Sequence, residues 1–85
     1  MSTYEEMLTN ADWKIRRDAA EDTSTTPTAE QYERGLTDGE DAVRIAWAER
    51  TDLTPTAEQY ERGLMDKDWY VHKAWTDRTN LSHLG

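Results

Sequence analysis

The sequence predicts an all-α protein, a stack of three helix–turn–helix units with no β-sheet. Three observations carry this. The segment Thr26 to Leu36 recurs letter for letter at Thr54 to Leu64, a step of 28 residues. Each copy opens on a helix-capping signal and continues with apolar residues at helical spacing. No hairpin-type turn flanked by alternating residues occurs anywhere. Fixed-period self-similarity marks a stacked repeat architecture, and about three units is the minimum that stands alone. The 85 residues form one domain, 1–85, with units at about 1–25, 26–53 and 54–81 and a short tail at 82–85. Beyond the identical segment, Asp38 pairs with Asp66, Val43 with Val71, Ala46 with Ala74, Trp47 with Trp75 and Arg50 with Arg78. A worn first copy places Tyr4 under Tyr32, Leu8 under Leu36, Asn10 under Asp38, Ile15 under Val43, Arg16 under Arg44 and Ala19 under Trp47.

The first helix of each unit, helix A, is expected over 3–8, 29–36 and 57–64. Thr28 with Gln31 and Thr56 with Gln59 spell capping boxes, in which the Thr oxygen accepts the N3 amide and the Gln reaches back. Ser2 with Glu5, or Thr3 with Glu6, offers the same start to the first unit. Ala29, Tyr32 and Leu36 follow i, i+3, i+7 spacing and predict the buried face. Gly35 and Gly63, near the helix ends, admit a close neighbour or help to end the helix. Asn10, Asp38 and Asp66 read as N-caps of helix B, expected over 11–22, 39–50 and 67–78. Acidic residues follow in its first turn (Asp12, Glu40, Asp41, Asp68), where the macrodipole favours them. Val43, Ala46, Trp47 and the stem of Arg50 form its apolar stripe, repeated at Val71, Ala74, Trp75 and Arg78. Both arginines stand in the last turn, where cations help.

Composition sets the scale of the core. Hydrophobic residues make up 35% and charged residues 33%, with no Phe, four Trp and four Tyr. Each buried aromatic removes roughly 150–250 Å² from water. At about 25 cal/mol/Å², that is on the order of 4–6 kcal/mol as an upper limit. The absence of cysteine excludes disulfides, thiolate metal sites and thiol nucleophiles. No apolar run reaches membrane-span or signal-peptide length, which points to a cytoplasmic, intracellular location (the host cell if phage-encoded). The net charge of −8 disfavours nucleic-acid phosphates and anionic membranes, and favours a partner protein with a basic surface.

Enzyme chemistry finds no foothold. His72 takes the position of Arg16 and Arg44, and a solvent-facing structural role suits it; His83 falls in the tail. The acidic stretches at Asp38–Asp41 and Asp66–Asp68 lack the ligand spacing of an EF-hand loop, and there is no phosphate-binding glycine loop. No catalytic, cofactor-binding or metal-binding residue is expected. Binding remains, in two forms. Glu30, Glu33, Glu58 and Glu61 recur on the A helices, with Asp38, Glu40, Asp41, Asp66 and Asp68 in the cap region. Stacking would turn these into acidic rows roughly 10 Å apart that imitate DNA phosphates, or that simply keep the chain soluble. By size and charge such a chain looks like inhibitors of restriction or CRISPR nucleases. The alternative is a general interaction or assembly module with Trp13, Trp69 and Tyr70 on helix B as aromatic anchors. Trp13 and Trp69 have an equally simple use as covers for the stack ends, and two open ends allow a homodimer.

The helix B pattern of Asp38, Val43, Arg44 and Ala46, with degenerate copies at Asn10, Ile15, Arg16 and at Asp66, Val71, His72, resembles the second helix of HEAT-type repeats. The 28-residue period is shorter than the HEAT length of about 40 and resembles short HEAT-like or leucine-rich-repeat-variant units. The resemblance implies a right-handed curved stack, a short α-solenoid, used as a binding surface. It brings no catalytic residues.

Overall fold

The computed structural model describes residues 3–84, with side chains over residues 3–78. Six helices and no strand are found among the described residues: α1 Tyr4–Leu8, α2 Trp13–Glu21, α3 Ala29–Leu36, α4 Asp41–Ala48, α5 Ala57–Leu64 and α6 Trp69–Leu84. They form three pairs, α1 with α2, α3 with α4 and α5 with α6, in a stack measuring 41 × 25 × 18 Å. The B helices form the tighter layer, α2 against α4 and α4 against α6, while the A helices α1, α3 and α5 touch more lightly.

Helix A begins as the sequence requires. Thr28 Oγ1 accepts the Gln31 amide at 3.1 Å and Gln31 returns to the Thr28 amide at 2.8 Å; Thr56 and Gln59 repeat this at 3.1 and 2.9 Å. In the first unit Thr3 accepts the Glu6 amide at 3.1 Å. Ser2 lies outside the described residues.

Helix B begins two residues later than expected. Asn10, Asp38 and Asp66 do not cap it. Their side chains accept the amide two residues on, from Asp12, Glu40 and Asp68, at 2.8, 2.9 and 2.8 Å. That closes an Asx-type turn ahead of the helix. The caps are Asp12, which accepts from the Lys14 amide at 2.9 Å, and Asp68, which accepts from Tyr70 at 2.9 Å; Glu40 makes no side-chain cap bond. Helix α6 also outruns expectation: it continues to Leu84, through most of the segment read as a tail. The side chain of His83 lies outside the described residues.

The core is aromatic, as composition demands. Trp47 and Trp75 are buried, with Val43, Val71 and Tyr32 around them. Tyr32 meets Trp47 edge-on at 5.8 Å and Tyr60 meets Trp75 at 5.7 Å. Ala29 and Ala57, expected on the buried face, are exposed, because the turn that opens helix A faces solvent. Ile15 is also exposed, at 37%, whereas its counterparts Val43 and Val71 are buried.

The glycines explain how an indole fits between two helices. A Cβ on Gly35 would lie 2.2 Å from Trp47 Nε1, and one on Gly63 equally close to Trp75 Nε1. Neither glycine has a positive φ or forms the helix cap, which falls on Thr37 and Met65. Both are seats for a ring. In the first unit Met7 stands at the glycine position and Ala19 at the tryptophan position. The large residue has moved to the opposite helix.

Gly35→Ala gains about 1 kcal/mol of helix propensity, but the added methyl forces a displacement of the ring, and overpacking costs roughly 1–3 kcal/mol. We expect a net loss, read as a fall of several degrees in the thermal midpoint by circular dichroism. Trp47→Ala alone should cost about 3–5 kcal/mol. Gly35→Met combined with Trp47→Ala copies the first unit and should recover part of that loss.

Candidate functional site

Which of the predicted acidic residues are available to a partner depends on three ladders of polar contacts that join the units. In the A layer, Glu5 accepts from Gln31 at 3.1 Å and Arg34 at 2.7 Å. One unit on, Glu33 accepts from Gln59 at 3.0 Å and Arg62 at 2.8 Å. In the B layer, Arg16 grips Asp38 with two N–H groups at 2.9 and 3.1 Å, and Arg44 grips Asp66 at 2.9 and 3.2 Å. Forked guanidinium–carboxylate geometry of this kind fixes orientation as well as charge.

The third ladder runs through the helix ends. Arg50, only 4% exposed, donates to the carbonyls of Ala20 at 2.8 Å and Asp22 at 3.2 Å, at the end of the preceding B helix. Its other N–H groups fork onto Asp52 at 2.8 and 2.7 Å, and its guanidinium lies 5.5 Å from the Trp47 ring. Arg78 repeats the pattern: it donates to the Ala48, Arg50 and Leu53 carbonyls and lies 5.2 Å from the Trp75 ring. These arginines were expected to help their own helix ends. They reach back to the preceding unit instead.

The predicted acidic rows are thinned accordingly. Asp38 and Asp66 are partly buried pairs with Arg16 and Arg44, with 12% and 14% of their side chains exposed. Glu33 is held by Arg62 and Gln59. Asp68 caps α6. The neighbouring Glu40 and Asp41 carboxyls compete for a proton, which raises the Glu40 pKa and lowers that of Asp41, and Asp68 close by lowers Asp41 further. Glu30, Glu58 and Glu61 remain exposed. His72 points its Nδ1 at the Leu64 carbonyl, 2.6 Å away, on the outer side of the third unit.

The predicted aromatic anchors also divide. Trp13 is partly buried, packed on the core, with the Arg17 guanidinium 5.3 Å from its ring. Trp69 and Tyr70 are 61% and 65% exposed and touch edge-on at 5.2 Å. Met65 is more exposed still, at 83%. Sequence reasoning passed over it, although the signal was present: Thr9 and Thr37 hold that position in the other units and bond back to the Glu5 and Glu33 carbonyls. Nearby, an open cleft of about 810 Å³ is lined by Leu36, Arg44, Glu58, Glu61, Met65 and Lys67 among others.

No group of His, Asp or Glu side chains suited to a metal ion occurs among the described residues, and no helix there is long and apolar enough to cross a membrane. No protein-family model, curated protein or solved structure matches the chain.

The ladders set a pH response. Hydrogen bonds from Gln31 to Glu5, from Gln59 to Glu33 and from Arg50 to Asp52 hold these carboxyls below their ordinary values of 4.5, 4.5 and 3.8. A pKa lower in the folded than in the unfolded chain gives stability that is complete above the unfolded value and lost as pH falls through the folded one. Glu40, raised, works in the opposite sense and is relieved by acid. The lowered groups outnumber it. The thermal midpoint should therefore drop on acidification below about pH 4.5, and Glu33→Gln should show a smaller drop.

Proposed function

We propose that this protein is a non-enzymatic binding module of the helical-repeat kind, related in design to short HEAT-like units, and that it contacts a partner protein through the exposed aromatic surface of its third unit. The observation that carries this is the pair Trp69 and Tyr70, exposed and stacked edge-on, with Met65 on the same unit. Large apolar side chains are costly to leave in water, and aromatic residues supply most anchors of protein interfaces. The net charge of −8 and the unneutralised Glu30, Glu58 and Glu61 give the partner a basic surface.

Imitation of DNA by rows of carboxylates is the weaker reading. It needs a regular array of free negative charge, and Glu33, Asp38 and Asp66 are committed to arginines inside the stack. Three exposed glutamates on two helices make a poor copy of a phosphate track, but they are well placed to steer a basic partner.

Affinity capture from the native host, with bound proteins eluted and identified, separates the two. Trp69→Ala with Tyr70→Ala should weaken retention of the captured partner by about 30-fold or more, the scale of a hot-spot pair. Glu30→Lys with Glu58→Lys should weaken it only several-fold, and mainly at low salt. Capture that survives the aromatic change but is lost with the charge reversal, and that competes with DNA, would establish mimicry instead.

A further inference from the structure

The stack shows twice how the upper face of its A layer is covered. Glu5 is met by Gln31 and Arg34 of the next helix, and Glu33 by Gln59 and Arg62. The leucines one turn on, Leu8 and Leu36, are buried at 7% and 8%. Helix α5 presents the same face a third time as Glu61 and Leu64. Here Glu61 is exposed, Leu64 is only half-buried, and no ion pair reaches Glu61 among the described residues. Trp69 stands where the second unit has Asp41, whose carboxyl lies close enough to Asp68 of the following unit to have its pKa lowered, so position 69 is where a further element would touch.

The B layer is finished differently. His72 replaces Arg44, which removes the donor that would grip another Asp; Lys73 replaces Ile45 and Thr76 replaces Ala48. Polar side chains there reject another apolar helix face. The A layer is open and the B layer is closed beyond its first turn, so this end accepts one helix and not a helix pair.

We propose that the outer face of α5, centred on Glu61 and Leu64 with Trp69 at its edge, docks a single amphipathic helix of a partner protein carrying the donor pair Gln-x-x-Arg. The proposal rests on the protein-binding reading above and specifies the partner's chemistry. Glu61 takes an amide and a guanidinium one turn apart, and Leu64 takes the apolar side of the same helix. A second copy of this chain does not fit. Its first helix carries Thr3 and Glu6 where Gln31 and Arg34 stand, so that Glu6 would face Glu61. Nor do the residues after α5 supply the helix: Ser82-His83-Leu84 stand where Thr54-Pro55-Thr56 turn the chain into α5, and α6 runs straight on to Leu84.

The probe is an end-blocked peptide of the sequence Thr54–Asp66, held helical by a side-chain lactam on its solvent side because isolated helices this short are marginal. Titrated into the isotope-labelled full chain, it should shift the amides of Glu61 and Leu64 and the Trp69 indole. An Arg62→Glu peptide should bind about tenfold or more weakly, as should the native peptide to Glu61→Arg protein. Joining the two changes should restore binding, which a merely unfolded variant cannot do. A peptide that binds in no form, or whose affinity ignores both charge changes, overturns the proposal. If the native partner is lost with Trp69→Ala and Tyr70→Ala but retained by Glu61→Arg, the helix-docking proposal falls while the aromatic reading stands. Concentration-dependent mass of the unmodified chain in sedimentation, abolished by Glu61→Arg, would assign the face to self-association and overturn it too.

Discussion

The stack depends on a charge placed where charge is least welcome. Arg50 sits at the junction of two units with almost none of its surface in water, and taking a guanidinium out of water costs several kcal/mol unless every donor is satisfied. Here each of its three nitrogens donates to an acceptor. Two carbonyls of the preceding helix end, the fork of Asp52 and the face of Trp47 surround it. Each of those partners also gains: the helix end finds donors for carbonyls that have none within the helix, and the indole gains a cation over its ring. Arg78 repeats the device one unit on. Neighbouring units therefore cannot slide past one another without leaving an arginine buried and unmatched.

Each of the three ladders has a direction, and the units differ in the residues that carry it. Asn10 stands where the other units have Asp38 and Asp66, Asp22 where they have Arg50 and Arg78, and His72 where they have Arg16 and Arg44. Departures that look like wear in the repeat change the charge of single rungs of a ladder. Glu61 instead keeps the residue of Glu5 and Glu33, which are both paired with arginines.

Much of the fold was legible because the repeat fixes helix number, and the capping boxes fix where the A helices start. The B-helix starts were misplaced because Asp38 and Asp66 are excellent caps by type, and only the fold reveals arginines from another unit, 22 residues away, competing for them. Period alone does not show which residues face the next unit, so Ala29 reads as core and nothing marks Arg16 and Arg44 as links between units. Trp69 and Tyr70 were legible as departures from the unit pattern at Asp41 and Ala42. Met65 was equally visible as a departure from Thr9 and Thr37. The thinning of the acidic rows was not legible, because ion pairing between units depends on side-chain reach across the stack.

The seat that each glycine offers to an indole is identical in α3 and α5, as are all eight residues of the two helices. Either helix could therefore cradle Trp47 with the same contacts. During folding, or between two chains at high concentration, an exchanged pairing is locally indistinguishable from the native one. Such a slip leaves Trp75 only the vacated Gly35 seat on α3, and the Met7–Ala19 pair of the first unit cannot substitute because its large side chain lies on the wrong helix. Registry in this protein is decided by how many seats and rings are matched along the chain, so a single added or deleted unit would shift the folding problem more than any point substitution.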